Sequence, residues 1–228
     1  GGANEGIVST RLGLKGIPNL AEELQITRNL FLLEYTGGKL HIPTVSTAKS
    51  VELIREAKAK GLQVTASAAV HHLVLTDEIL EGFDTRFKVT PPLRTETDRQ
   101  ALLNGIKDGT IDLITSDHNP IDIEFKKMEF DTAKNGTIGL ESAFGALLTV
   151  LPLETVIEKL TVGKSIFGIK NYSITEGSKA NLSLFNPEGK ATFTTANILS
   201  KSKNSAFLGT EIQGSVYGIL NQNQLVTK

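Results

Sequence analysis

Residues 39–72 read KLHIPTVSTAKSVELIREAKAKGLQVTASAAVHH. Lys39 to Val45 is a short apolar run suited to a strand. Thr47 to Lys60 follows, with Val51, Ile54 and Ala57 recurring at three-residue spacing before Gly61, which predicts a helix. Leu62 to Ala69 is a second, β-branched run that ends just before His71-His72. Strand, helix and strand in this order make a parallel βα unit. In such units the reactive groups gather where the strands end and the loops begin.

The alternation continues on both sides. Upstream, Leu20 to Tyr35 lacks internal Gly and Pro and stops at Gly37-Gly38, as a helix does. Downstream, Phe87 to Thr90 predicts a short strand ended by Pro91-Pro92. Thr95 and Asp98 have capping-box spacing and open a helix to about Lys107, and Ile111 to Thr115 follows the Asp108-Gly109 turn as another strand. These βα units amount to about half of a (β/α)8 barrel. Beyond Gly139, Leu140 to Leu151 and Leu153 to Leu160 read as helices separated by Pro152. From about Gly177 the texture becomes that of a small β domain. Asn181 to Phe185, Ala191 to Thr194, Ser215 to Leu220 and Gln224 to Thr227 are β-rich runs broken by Asn186-Pro187, Gly189, Gly209 and Gly214. The expected organisation is an α/β chain: the C-terminal half of a TIM-type barrel over 1–170, then a small β domain, a composite sandwich, over 171–228. The boundary is expected near residues 165–177.

Composition narrows the function. Lys and Arg (24) nearly balance Asp and Glu (25) for a net charge of −1, so the basic field that nucleic acid or an anionic membrane requires is missing. Small molecules or proteins are the expected partners. The absence of cysteine excludes disulfides and thiolate metal sites, leaving the four histidines and the carboxylates for any zinc. No run approaches the roughly 18 apolar residues of a membrane span, and no signal sequence opens the chain, so a cytoplasmic location is the default expectation. Gly1-Gly2-Ala3-Asn4-Glu5-Gly6, without an initiator Met, reads as a loop in mid-sequence and predicts a fragment.

Three places carry candidate chemistry. His71 and Asp117 follow different strands of one barrel, so both could project into one mouth and hold zinc. Asp117 could also act as base toward a metal-bound water. The same residues also read as a packed loop histidine and a turn before Asn119-Pro120. His41, inside a strand, is expected to be structural. Arg94 reads equally as a fork for a substrate carboxylate and as a loop cap. Glu124 to Lys127 is expected to be a solvated face.

In order along the chain come Asn4-Glu5-Gly6, Leu12-Gly13-Leu14-Lys15-Gly16-Ile17-Pro18, Val45-Ser46-Thr47, His71-His72-Leu73, Pro91-Pro92-Leu93-Arg94, Asp108-Gly109-Thr110-Ile111-Asp112, Asp117-His118 and Gly139-Leu140-Glu141. In these segments the chain resembles the dihydroorotases of the multifunctional-complex type, cyclic amidohydrolases of pyrimidine biosynthesis. The resemblance implies interconversion of N-carbamoyl-L-aspartate and L-dihydroorotate. It also implies zinc held by a His-x-His pair, a bridging Asp or carboxylated Lys, two later histidines and a final Asp. The chain begins after the first three of these. Thr44 stands where the family's His-Val-Ser-Thr segment has a ligand histidine; His71 matches the last histidine ligand, and Asp117 the catalytic aspartate and metal ligand. At the substrate positions, Thr90 replaces the Asn before Pro91, and Ile121 replaces the His that closes Asp-His-Ala-Pro-His. The resemblance therefore implies either a dihydroorotase that is inactive as this chain alone, or a non-catalytic homologue that supports aspartate transcarbamoylase. A hydantoinase or allantoinase accords less well with Pro91-Pro92-Leu93-Arg94. A homo-oligomer is expected in each case.

Overall fold

A computed structural model describes residues 2–170, 174–221 and 223–227. The first part of the chain runs β1 (Ala3–Asn4), α1 (Ile7–Leu12), β2 (Gly16–Ile17), α2 (Asn19–Thr36), β3 (Leu40–Ile42), α3 (Ala48–Ala59), β4 (Val64–Ala69) and α4 (Val70–Val74). It continues through α5 (Glu96–Lys107), β5 (Leu113–Thr115), α6 (Ala143–Leu147), α7 (Leu153–Thr161) and α8 (Gly163–Ile166). The end is β6 (Asn181–Thr192), β7 (Glu211–Asn221) and β8 (Gln224–Thr227).

The barrel portion is a parallel sheet in the order β3-β4-β5, beside a separate parallel pair β1-β2. Leu40, His41 and Ile42 lie opposite Val64, Thr65 and Ala66, and Ser67, Ala68 and Ala69 lie opposite Leu113, Ile114 and Thr115. The alanines of β4 leave room for the helices behind it. Val51, Ile54 and Ala57 of α3 pack there with Leu102, Leu103 and Ile106 of α5 in one buried cluster. Gly105 permits that approach, since a Cβ there would lie 3.1 Å from Val51 Cγ1. Both helices begin as their sequences predict. Thr47 Oγ1 accepts from Ser50 N at 3.2 Å, and Thr95 and Asp98 form a reciprocal capping box.

The expected strand Phe87–Thr90 does not form. Phe87 N donates to Asp84 O and Lys88 N to Thr85 O, so these amides close a tight 3-10 turn at Thr85–Phe87, and Pro91 and Pro92 have no N–H to offer a ladder. The first strand also stops at Ile42, because Pro43 follows it and Thr44 takes a left-handed backbone, φ 52°. The helix expected from Leu140 is regular only over Ala143–Leu147. At the other end β6, β7 and β8 form an antiparallel sheet, with bulges between Leu184 and Phe185 and between Asn186 and Lys190. This sheet meets α6 through Phe144 and Phe185, whose rings are 4.8 Å apart. The expected boundary at 170/171 falls on residues 171–173, outside the described residues.

Candidate active site

His71 leaves β4 on the first turn of α4, and Asp117 follows β5, so the paired strands β4 and β5 carry the two residues to one end of the sheet. His71 Nε2 lies 3.8 Å from Asp117 Oδ2, beyond hydrogen-bond reach. His71 is 1% exposed, and Nε2 has no hydrogen-bond partner. Burial first, and then the neighbouring His72, hold the His71 imidazole well below its ordinary pKa, so the ring is neutral at pH 7. Asp117 has φ 44°, an uncommon backbone for a residue with a side chain, and its N–H donates to Thr115 Oγ1 at 3.1 Å. Burial raises the pKa of its carboxyl. A neutral buried imidazole with a free nitrogen, beside a carboxyl whose pKa burial raises, is an arrangement suited to ligation or proton transfer.

The other sequence-predicted residues divide. The loop that carries Thr90 and Pro91 is next to the pair, because His72 Nε2 donates to Pro91 O at 3.0 Å and Pro92 O at 3.3 Å. Thr44 leaves β3 at the same sheet end, its N–H donating to Ser67 Oγ at 3.3 Å. Ile121 is half-buried, and its carbonyl accepts from Ser202 Oγ at 2.7 Å beside a cavity of about 430 Å³ lined also by Lys201 and Lys203. His41 is held within the sheet, Nδ1 at 2.9 Å from Thr65 Oγ1 and Nε2 at 3.3 Å from Ser67 Oγ.

The two readings of Arg94 resolve in favour of a buried tie. It is 3% exposed, donating from Nε to Ser46 Oγ at 3.1 Å and from Nη1 to Asn4 Oδ1 at 2.9 Å and Ile17 O at 2.8 Å, with Glu22 Oε2 3.9 Å away. No fork is left for a substrate. The run Glu124 to Lys127 is corrected at Lys126, which is buried and donates from Nζ to Thr85 O and Lys88 O at 2.9 and 3.0 Å. Burial first, and then the nearby Lys88, lower that amine to about 8.

The sequence places His118 in the Asp117-His118 segment without a role of its own. Its Nδ1 accepts from Gly139 N at 3.3 Å and Leu140 N at 3.4 Å, which joins the segment after Asp117 to residues 137–140. The approach is so close that a Cβ on Gly139 would lie 2.2 Å from Ser116 O.

No protein-family model matches the chain. A curated dihydroorotase of Pelotomaculum thermopropionicum is 44% identical over 218 residues, which are 92% of this chain and 51% of that protein. The chain belongs to the dihydroorotase family. It spans about half the length of the curated relatives it matches. The L-hydantoinase of Arthrobacter aurescens superposes with a TM-score of 0.83 at 26% identity, over 91% of this chain and 49% of that one. The inactive dihydroorotase-like domain of a Chaetomium thermophilum CAD-like multifunctional protein aligns with a TM-score of 0.66 at 23% identity, over 88% of this chain and 54% of that one. The fold is thus that of the amidohydrolase barrels, followed by the antiparallel sheet β6-β7-β8. Among the described residues no helix is long and apolar enough to cross a membrane.

Zinc is the ion that family membership brings into question. Among the described residues no three His, Asp, Glu or Cys side chains come together to hold a metal ion, and a zinc site takes three or four protein donors. His71 and Asp117 bring only two candidate donors together, with Nε2 3.8 Å from Oδ2. The donors among the described residues do not fit a complete zinc site.

Proposed function

We propose that this chain is part of a dihydroorotase-type cyclic amidohydrolase and does not turn over substrate by itself. The observation that carries this is the His71–Asp117 pair, an unpartnered buried Nε2 facing a carboxyl across 3.8 Å. In this reading Asp117 takes or gives the proton as the cyclic amide opens or closes, and its raised pKa suits that exchange. In the same reading His71 is a remaining ligand position, and Thr90, Pro91 and Ile121 are the altered substrate-binding positions, of which Pro91 is tied to His72 beside the pair. The substrate class is L-dihydroorotate or N-carbamoyl-L-aspartate. Relatives named dihydroorotase at 39–44% identity, against hydantoinase structures at 23–26%, favour that class over hydantoins.

A second reading rests on Thr44. A threonine in place of a ligand histidine, with Thr90 and Ile121 altered as well, favours a non-catalytic homologue whose partner is aspartate transcarbamoylase. Both readings place the protein in the cytoplasm. They separate in zinc content and L-dihydroorotate hydrolysis of the whole gene product, beside a Thr44→His, Thr90→Asn, Ile121→His variant. Turnover by the unmodified protein that Asp117→Asn abolishes supports the enzyme. Turnover that appears only in the triple variant supports the non-catalytic reading.

A further inference from the structure

Pro91 and Pro92 have no N–H, so they contribute only carbonyls to the loop beside the site. Both carbonyls converge on His72, at 3.0 and 3.3 Å from Nε2. A carbonyl oxygen can only accept, so Nε2 carries the hydrogen and shares it between them. Nδ1 of the neutral ring is then bare, and it is buried with no partner. An orphaned acceptor destabilises the fold, so an apolar side chain of similar bulk would pack here without that loss. The gain that offsets it lies at Nε2. The far end of the loop has its own ties, through Asp77 N to Arg94 O at 2.9 Å and through the buried Arg94 side chain. His72 thus anchors the near end, where Thr90 and Pro91 lie, and its ring packs 4.4 Å from that of His71.

We propose that His72 is a positioning residue, whose Nε2–H holds the Pro91 and Pro92 carbonyls and so sets the Thr90–Pro91 segment against His71. The inference rests on the proposed assignment of Thr90 and Pro91 to substrate binding. Neither test below uses substrate or metal, so its failure and the failure of that assignment are separately visible.

The first test is the tautomer, read by nitrogen-15 NMR of the imidazole at neutral pH. The expected result is a protonated Nε2 whose hydrogen exchanges slowly and shows contacts to Pro91; a protonated Nδ1 overturns the proposal. The second compares His72→Gln, whose side-chain amide still donates, with His72→Leu, which cannot. The expected result is near-native Thr90 and Leu93 resonances in the first. In the second those resonances shift, while exchange at the Asp77 amide, which Arg94 O holds, and at the β6–β8 amides stays unchanged. A folded leucine variant with native loop signals overturns it. Should that variant not fold, the tautomer decides alone.

Discussion

His71 Nε2 and Asp117 Oδ2 face one another across 3.8 Å at the ends of β4 and β5, with no hydrogen bond between them. The gap sets the behaviour of both groups. Each is pushed toward its neutral form by burial, and neither neutralises the other.

Asp117→Asn is expected to stabilise chelator-treated protein at neutral pH. The folded-state pKa of Asp117 is raised, so its contribution to stability is present in acid and lost as pH rises through that value. The amide removes a cost that exists only where the carboxylate is ionised. Thermal melts at pH 7 and in acid check this, with the gain present at the first and absent at the second. A lower melting temperature at pH 7 would contradict it.

Acid is expected to unfold the chain through its buried imidazoles. His72 is lowered from 6.5 to about 4, chiefly by burial, and His71 is lowered too. The unfolded chain binds these protons first, so the stability they support is complete above pH 6.5 and declines as pH falls toward 4. For His72 this amounts to about 3 kcal/mol. Urea midpoints across that window, in wild type and His72→Gln, measure it. A wild-type profile as flat as the variant's would count against burial as the cause.

Arg94→Lys is expected to fail as a conservative change. A single ammonium cannot reach Ser46, Asn4 and Ile17 together, and breaking a buried charged tie costs about 3 kcal/mol or more. Equilibrium urea unfolding at fixed pH reads the loss. A change below about 0.5 kcal/mol, typical of surface substitutions, would return Arg94 to the status of an ordinary loop residue.

Self-association is expected through apolar side chains that lie open on α2. Leu24, Phe31 and Tyr35 are 59%, 68% and 89% exposed, and open apolar patches promote association. Sedimentation velocity should give a concentration-dependent mass that Phe31→Glu lowers. A dilute, monodisperse monomer at all concentrations would exclude this surface.

Much of this was legible in the sequence because it is local. Thr47, Thr95 and Asp98 start α3 and α5 through side chains within three residues, and the three-residue spacing of Val51, Ile54 and Ala57 marks the face that is buried. His71 and Asp117 were legible because strand ends in a parallel sheet share one edge. What was not legible depends on a local turn competing with a strand, or on partners distant in sequence. Phe87 to Thr90 has a strand's composition, yet its amides bond within the turn. Lys126 sits in a charged run, but carbonyls more than 35 residues away bury it. Arg94 could not be decided until Asn4 and Ser46 were seen beside it, and the sequence offered no separate role for His72 until the Pro91 carbonyl was placed.

The most direct test of the central claim is zinc stoichiometry of the purified chain by equilibrium dialysis and elemental analysis, with L-dihydroorotate hydrolysis assayed on the same samples. With only His71 and Asp117 brought together as candidate donors among the described residues, the prediction is zinc well below one ion per chain and no turnover, with tighter zinc binding in Thr44→His. One zinc ion per unmodified chain, together with turnover, would contradict it.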